Sequence, residues 1–230
     1  MRVLFVGNSY LYVHDIPGIV AALGSADSTP IVASTVVAPN YALIDHWHDG
    51  EAGSRLLESN WRFVVLQQGW TPPGVCRDTL RLATSLFAGL VGPKGTQVAM
   101  FEAWAPATRP DQFPGTIGSY RQAAKDVGGV LLPIAEAWQL AINERTPVGL
   151  YDDDIHPSSA GSYFAALVIY ARLTHRSPVG LPISLTTQSG ERIAIPAPLA
   201  QQLQEQAAAI ALTPTPDDIP QAPVIVTSRC

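Results

Sequence analysis

The sequence has few of the features that proteins use to bind nucleic acid or membranes. Charged residues make up only 14% of the 230 residues, and the formal net charge is −5 at pH 7. This acidic balance leaves little basic surface for nucleic acid or anionic lipid. No apolar run approaches the length of a membrane span. We therefore expect a small-molecule ligand, with neither nucleic acid nor a membrane as partner.

Cysteine is also scarce, because Cys76 and Cys230 are the only two. They make no disulfide framework, and neither has neighbours at metal-ligand spacing. The apolar run after Arg2 is too short for a secretory signal and is better explained as a strand. We therefore expect a cytoplasmic protein, unless a leader has been removed.

Two common cofactor signals are missing. No glycine-rich phosphate loop follows the first predicted strand, which argues against a flavodoxin-like nucleotide or phosphate binder. His46 and His48 lie two residues apart on a predicted helix, so they do not share a face, and no third ligand has suitable spacing. We expect neither a metal nor an organic cofactor.

What the chain does have is a regular alternation of apolar strands and helices. Hydrophobic residues make up 47% of the sequence, enough for a sizeable core. Short apolar runs predict buried strands over Arg2–Val6, Ile31–Val37, Phe63–Leu66, Gln97–Phe101 and Val130–Leu132. Helices are predicted from Pro17 onward and over Tyr41–Leu57, Asp78–Leu90, Pro114–Val127, Ile134–Asn143 and Ser158–Thr174. This order predicts a three-layer α/β sandwich with a parallel sheet.

The composition changes near residue 180. We assign residues 1–180 to the main domain and residues 181–230 to an extension packed on it. The extension is predicted to contain a hairpin over Ile183–Ile195 and a helix over Leu199–Leu212. An extended, proline-rich tail follows from Thr213 to Cys230, with Val224–Val226 as its packing segment.

The first strand runs directly into Gly7-Asn8-Ser9-Tyr10. Ligands of open parallel sheets bind beyond the carboxyl ends of the strands, so the Ser9 hydroxyl is displayed where such folds do chemistry. We expect Gly7 to let the backbone turn sharply there. A serine is a weak nucleophile on its own and needs a base with an orienting partner.

The segment from Asp152 to Ser158, before the last apolar helix, supplies both. Asp153 can accept the Nδ1 proton of His156 and leave Nε2 free to take the proton of Ser9. Ser158 is a natural N-cap for the helix. Asp152 and Asp154 are expected to be solvated or to favour the helix N-terminus.

These two motifs resemble those of the SGNH (GDSL-like) hydrolases. That family places its serine in a Gly-Asp/Asn-Ser motif after the first strand and an Asp-x-x-His motif before the C-terminal helix, which Ser9, Asp153 and His156 match. The resemblance covers about residues 2 to 180. It implies a flavodoxin-like sandwich with a five-stranded parallel sheet, and a serine ester hydrolase that acts through an acyl-enzyme without a cofactor. Esters of short acyl groups or of carbohydrates are the substrate class implied.

The resemblance weakens at the oxyanion hole. The family uses the N–H of its serine, a glycine N–H after the second strand and an asparagine side chain after the third. Here Ser9 supplies the first, and a backbone N–H of Asn40 or Tyr41 replaces the second. Gln67 or Gln68, with a preference for Gln68, replaces the third; alternatively, one glutamine only satisfies backbone groups at the strand end.

Five residues are expected to line the substrate pocket because they follow predicted strands or lie near Ser9: Asn8, Tyr10, His14, Trp70 and Trp104. A second interpretation is that Trp70 and Trp104 belong to the hydrophobic core. The atypical oxyanion hole also leaves open a different function, that of a non-catalytic ligand-binding protein on the same fold.

Overall fold

The protein is described here by a computed structural model, which covers residues 1–146 and 149–214. A parallel sheet of five strands lies at its centre. The strands are β1 (Arg2–Gly7), β2 (Val32–Val37), β3 (Phe63–Leu66), β4 (Gln97–Phe101) and β5 (Val130–Leu132). Each matches a predicted strand to within one residue. The predicted sheet is therefore confirmed.

The strand order is β2-β1-β3-β4-β5, and every neighbouring pair is parallel. This is the flavodoxin-like order. Strand β2 lies on one side of β1, and β3 and the later strands are added on the other side, so the order of strands reverses between β1 and β3. Val6 pairs with Leu66 at that point, so both strands end side by side. The residues after β1 and β3 therefore share the crevice in which such sheets bind ligands.

Helices cover both faces of the sheet and complete the three-layer sandwich. The helices are α1 (Ser9–Tyr12), α2 (Ile16–Ala26), α3 (Leu43–Asp49), α4 (Glu51–Glu58), α5 (Val75–Val91), α6 (Phe113–Asp126), α7 (Ile134–Asn143), α8 (Ser159–Thr174) and α9 (Ala197–Ala211). Helices α2, α8 and α9 pack in one group, and α3, α5 and α6 pack in another. Helix α8 is buried from Gly161 to Leu173, as its apolar sequence predicts.

The predicted helix from Tyr41 to Leu57 is wrong in one respect. The chain forms two helices there, α3 and α4, which meet at Gly50. Gly50 has φ 78°, a left-handed conformation that ends α3 and that glycine adopts at little cost. Two leucines within predicted helices, Leu57 and Leu82, are 55% and 56% exposed.

Gly7 is needed for space rather than for a sharp turn. It is the last residue of β1 and is not among the glycines with positive φ. A methyl group at this position would overlap Oε1 of Gln67 and lie 2.9 Å from Cδ1 of Leu11. The close approach of Gln67, and not an unusual backbone conformation, therefore requires glycine here.

The extension after residue 180 begins with the predicted hairpin, formed by β6 (Ser184–Thr186) and β7 (Arg192–Ala194), which pair antiparallel. Helix α9 packs against α7 and α8. The predicted tail with Val224–Val226, and Cys230, lie outside the described residues. Within residues 1–146 and 149–214, no helix is both long enough and apolar enough to cross a membrane.

Candidate active site

Ser9 begins a short helix directly beyond the end of β1. Asn8 is the N-cap of this helix, and its Oδ1 accepts a hydrogen bond of 3.2 Å from the N–H of Tyr10. A capping asparagine holds the first turn in place. The sequence Gly-Asn-Ser therefore fixes the Ser9 side chain at the carboxyl edge of the sheet.

A chain of hydrogen bonds joins Ser9, His156 and Asp153. The Oγ of Ser9 lies 2.9 Å from Nε2 of His156, and Nδ1 of His156 lies 2.7 Å from Oδ2 of Asp153. The first two residues are separated by 147 positions in the sequence. The structure thus brings together the three residues that the two sequence motifs single out.

Asp153 is held as an anion by the loop around it. Its Oδ1 accepts 2.7 Å hydrogen bonds from the N–H groups of Ile155 and His156. The hydrogen bond from the His156 side chain, together with these two backbone bonds, lowers the pKa of Asp153 to about 2. The carboxylate is therefore ionised near neutral pH and available to orient the imidazole.

The aspartates on either side of Asp153 bind different parts of the protein. Asp152 Oδ2 lies 2.8 Å from Nε2 of His14. Asp154 accepts from both the N–H and the hydroxyl of Thr108, at 2.8 and 3.0 Å. Both side chains are exposed, as expected of solvated residues, and each also anchors the loop to a separate segment.

Gln67 is completely buried and is hydrogen-bonded to Asn8. Its Oε1 accepts from the Asn8 N–H at 2.8 Å, and its Nε2 donates to Asn8 Oδ1 at 3.0 Å. These are the contacts of a residue that satisfies groups at the strand end. A role for Gln67 in the oxyanion hole stays a prediction.

Gln68 also has partners away from Ser9. Its Oε1 accepts from the N–H of Leu43 at 3.3 Å, and its Nε2 donates to the carbonyl of Cys76 at 3.2 Å. One N–H of its amide remains for another acceptor. The preference for Gln68 as oxyanion donor is likewise still a prediction.

The segment after β2 contains the backbone feature that a glycine would otherwise supply. Asn40 has φ 61°, in the left-handed region that favours glycine and tolerates asparagine. The carbonyl of the next residue, Tyr41, accepts a 2.9 Å hydrogen bond from Nδ2 of Asn8. Asn8 therefore fixes the Tyr41–Ala42 peptide, which adjoins the residues from which a second oxyanion donor is expected.

The expected pocket residues separate into buried and exposed ones. Trp104 has no exposed surface, stacks on Trp138 with ring centroids 4.0 Å apart, and donates to the carbonyl of Ile155. It therefore supports the triad loop, and the expectation that it lines the pocket is corrected. Tyr10 is 5% exposed and packs on Trp104, whereas Trp70 keeps 36% of its surface exposed. Trp70 remains the aromatic candidate for contact with substrate.

The side chains of His14 and Asn8, which were also expected to face substrate, are bonded to other protein groups. Both ring nitrogens of His14 lie 2.8 Å from a carboxylate oxygen, one of Asp152 and one of Glu191. Asn8 is 7% exposed, and its side chain bonds Tyr41, Gln68 and Gln67 as well as Tyr10. Their contacts are structural, made with neighbouring loops.

The histidines near the site do not form a metal centre. His46 is buried and donates from Nε2 to the carbonyl of Gly7 at 2.9 Å, and burial lowers its pKa. His48 lies on the exposed side of α3. In the part of the chain that the structure describes, no three His, Cys, Asp or Glu side chains are grouped to hold a metal ion.

Solved structures with the same fold include proteins described as SGNH hydrolases, esterases and GDSL-like lipases. A candidate SGNH hydrolase from Slackia heliotrinireducens aligns with TM-score 0.63 and 23% identity over 75% of this chain and 98% of its own. An acetyl xylan esterase, AlAXEase, aligns with TM-score 0.58 and 15% identity over 74% of this chain and 98% of its own.

A DUF4886 family protein from Bacteroides uniformis is similar over more of the chain. It aligns with TM-score 0.74 and 20% identity over 91% of this chain and 93% of its own. At these identities the likeness establishes the fold. No protein-family model matches the sequence. No curated protein matches it either.

Sequence reasoning missed the partners that hold the site together. Glu191 lies 177 residues from His14, and Gln67 lies 59 residues from Asn8. No local pattern relates residues so far apart. The Asp-Asp-Asp run was visible in the sequence, but only the fold shows that each carboxylate has its own partner.

Proposed function

We propose that the protein is a serine ester hydrolase that acts through an acyl-enzyme. The observation that carries the proposal is the pair of short hydrogen bonds from Ser9 to His156 and from His156 to Asp153. Nucleophile, base and orienting acid in this order are the arrangement by which serine hydrolases activate a hydroxyl. The position of Ser9 at the crevice between β1 and β3 agrees with it.

The geometry supports the following steps. With its Nδ1 proton donated to Asp153, His156 has a lone pair on Nε2 to accept the Ser9 proton as Oγ attacks the ester carbonyl. The resulting imidazolium then gives this proton to the departing alcohol, which leaves an acyl group on Ser9. Water attacks that acyl-enzyme in the same way, and His156 passes the proton back to Ser9.

The oxyanion formed in each step needs preorganised donors. The N–H of Ser9 is in the first turn of a helix, where the amides have no acceptor within the helix itself. The N–H of Asn40 or Tyr41 is the second donor we propose, since Asn8 fixes the adjoining peptide. The free N–H of the Gln68 amide is the third.

We propose esters of short acyl groups on a carbohydrate as the substrate class. The exposed ring of Trp70 follows β3 at the same edge of the sheet, and the backbone N–H of Trp70 donates to the hydroxyl of Tyr10, which is next to Ser9 in the chain. Flat aromatic surfaces of this kind suit the apolar faces of sugars. An acetyl xylan esterase shares the fold. Trp70→Ala should raise KM for an acetylated xylooligosaccharide and leave KM for p-nitrophenyl acetate nearly unchanged.

A specific observation favours a second candidate, a ligand-binding protein without catalytic activity. The side chains of Gln67 and Gln68 are both engaged with other residues, so the side-chain donor of the oxyanion hole is the weakest part of the site. Loss of this donor would leave binding intact while lowering turnover about 10²- to 10³-fold.

A fluorophosphonate probe distinguishes the two candidates. The esterase predicts covalent labelling of the wild-type protein and none of Ser9→Ala, together with hydrolysis of p-nitrophenyl acetate in preference to longer esters. Ser85→Ala is the matched control, because Ser85 is an exposed serine on α5 that only bonds the carbonyl of Arg81. A folded wild-type protein that neither labels nor turns over ester would favour the binding protein.

A further inference from the structure

The ring of His14 lies between two carboxylates outside the triad. Its Nε2 is 2.8 Å from Oδ2 of Asp152, and its Nδ1 is 2.8 Å from Oε1 of Glu191. A neutral imidazole has only one N–H, so it cannot donate to both. The imidazolium form fits this geometry. We call the three residues the His14 bridge.

The surroundings of His14 agree with a charged ring. Burial lowers its pKa, but the hydrogen bonds to Asp152 and Glu191 outweigh this and hold the pKa above its ordinary value. The other polar group at the ring is the hydroxyl of Ser159, 3.3 Å from Nδ1. The adjacent carboxylate of Asp15 turns away to the N–H of Gly18 and the hydroxyl of Ser189.

The His14 bridge joins three segments that are distant in sequence. His14 lies in the corner between α1 and α2, Asp152 in the loop before α8, and Glu191 between the strands of the C-terminal hairpin. His14 and Asp15 have φ 56° and 50°, a region that residues other than glycine seldom adopt. A second contact beside the bridge, from Ser189 to Asp15 at 2.6 Å, attaches the same hairpin to the same corner.

Asp152 also connects directly to the base of the triad. Its N–H donates a 3.0 Å hydrogen bond to the carbonyl of His156, and it precedes Asp153 in the chain. Any shift of Asp152 therefore moves the backbone that carries both His156 and Asp153. A displacement of about 1 Å at a catalytic group can cost on the order of 100-fold in rate.

We propose that His14, as an imidazolium held between Asp152 and Glu191, is a positioning residue that fixes the triad loop against the C-terminal hairpin. This inference rests on the proposed esterase function, because it assigns His14 a role in the same reaction. It makes the hairpin after residue 180 a part of the active-site support. His14 itself contacts no reacting atom.

Steady-state kinetics with p-nitrophenyl acetate test the positioning role. His14→Gln, Asp152→Asn and Glu191→Gln should each lower kcat roughly tenfold to a hundredfold with little change in KM, since they act through loop geometry. The double variant His14→Gln/Asp152→Asn should lose no more than the worse single variant, because both remove one interaction. His48→Gln is the matched control on an exposed histidine and should retain full kcat.

The pH profile separates this role from a general loss of packing. In the wild type, kcat should fall on the alkaline side as His14 loses its proton and one carboxylate loses its donor. His14→Gln has no such proton, so its reduced kcat should lack this alkaline fall. An alkaline fall that persists unchanged in His14→Gln would overturn the proposal.

NMR titration of the His14 ring gives a readout that needs no catalysis. Its midpoint should lie above the ordinary value of 6.5, and Asp152→Asn and Glu191→Gln should each lower it. A midpoint at or below 6.5 would contradict the bridge. Failure of the esterase function shows differently, as equal turnover by Ser9→Ala and wild type. Normal kcat in His14→Gln, with Ser9→Ala inactive, would refute the positioning role alone.

Discussion

The hydrogen bonds between Gln67 and Asn8 give the most direct test of how the strand end supports Ser9. Gln67→Met keeps nearly the same side-chain length and volume but removes both polar atoms. The Asn8 N–H then loses its acceptor, Gln67 Oε1, in a buried position. The Asn8 Oδ1 loses one of its two donors and keeps the other, the N–H of Tyr10.

The magnitude follows from these two losses. An orphaned buried N–H costs about 1–3 kcal/mol, and a lost hydrogen bond whose acceptor keeps another donor costs about 1 kcal/mol. The greater hydrophobicity of methionine offsets part of this. We expect Gln67→Met to lower the free energy of unfolding by about 2–3 kcal/mol. For a chain of this size, that corresponds to a Tm lower by roughly 4–12 °C.

Urea denaturation followed by tryptophan fluorescence measures this difference. Gln201→Met on α9 is the matched control, because Gln201 is exposed and its amide bonds only Glu205 in the next turn. The control should change the free energy of unfolding by less than about 0.5 kcal/mol. An equally small change in Gln67→Met would refute the structural role assigned to Gln67.

The variant Gln67→Glu adds a test in pH. A protonated glutamic acid reproduces both bonds to Asn8, whereas the ionised form is buried and has an oxygen facing Asn8 Oδ1. The folded-state pKa of this new carboxyl should therefore lie above its unfolded value of about 4.3. Its stability should be greatest below that value and decrease as pH rises through the folded-state pKa. A pH-independent difference from wild type would contradict the geometry.

Two further predictions concern the triad loop and helix α8. Asp153→Asn should lower kcat about 10⁴-fold, because an amide N–H facing Nδ1 of His156 favours the wrong tautomer of the imidazole. Asp154→Asn should have a mild effect on ester hydrolysis. If Asp154→Asn is instead the variant with the large loss, the assignment of Asp153 as the acid is wrong. Gly161→Ala should lower the free energy of unfolding by about 1–3 kcal/mol, as measured by urea denaturation, because the added methyl group would overlap the carbonyl oxygen of Leu150. Gly118→Ala, where an added methyl group meets open space, is its control and should stabilise α6 by about 0.5–1 kcal/mol.

The strands could be predicted from the sequence because buried parallel strands are short apolar runs between turn residues. Val64 and Val65, at the centre of β3, have no exposed surface, so burial of their apolar side chains favours the position that the sequence predicts. The break at Gly50 was harder to predict, since a glycine within a helical pattern is compatible with a continuous helix. An apolar residue within a helix is also no sure sign of burial, since Leu57 and Leu82 occupy exposed helix faces.

In the candidate site too, the residues that local motifs indicate could be predicted, whereas those whose role depends on packing could not. The residues of the Ser9, His156 and Asp153 chain follow directly from two local motifs beside recognisable elements. The roles of Gln67 and Trp104 do not, because both depend on what packs against them. A glutamine after a strand is equally compatible with a free amide and with one bonded to Asn8. Burial decides between these, and burial is a property of the whole fold.

The run Asp152-Asp153-Asp154 shows why residue type alone does not assign function. Three identical side chains in succession bind three different groups: the ring of His14, the ring of His156 and the backbone and hydroxyl of Thr108. Two of these partners lie 138 and 46 residues away, on segments that meet the loop only in the folded chain. Because the outer aspartates anchor the loop to two different segments, the middle one can orient His156 from a largely exposed position. Its geometry is therefore set by the backbone hydrogen bonds that it accepts and by its neighbours' contacts, and not by its own burial.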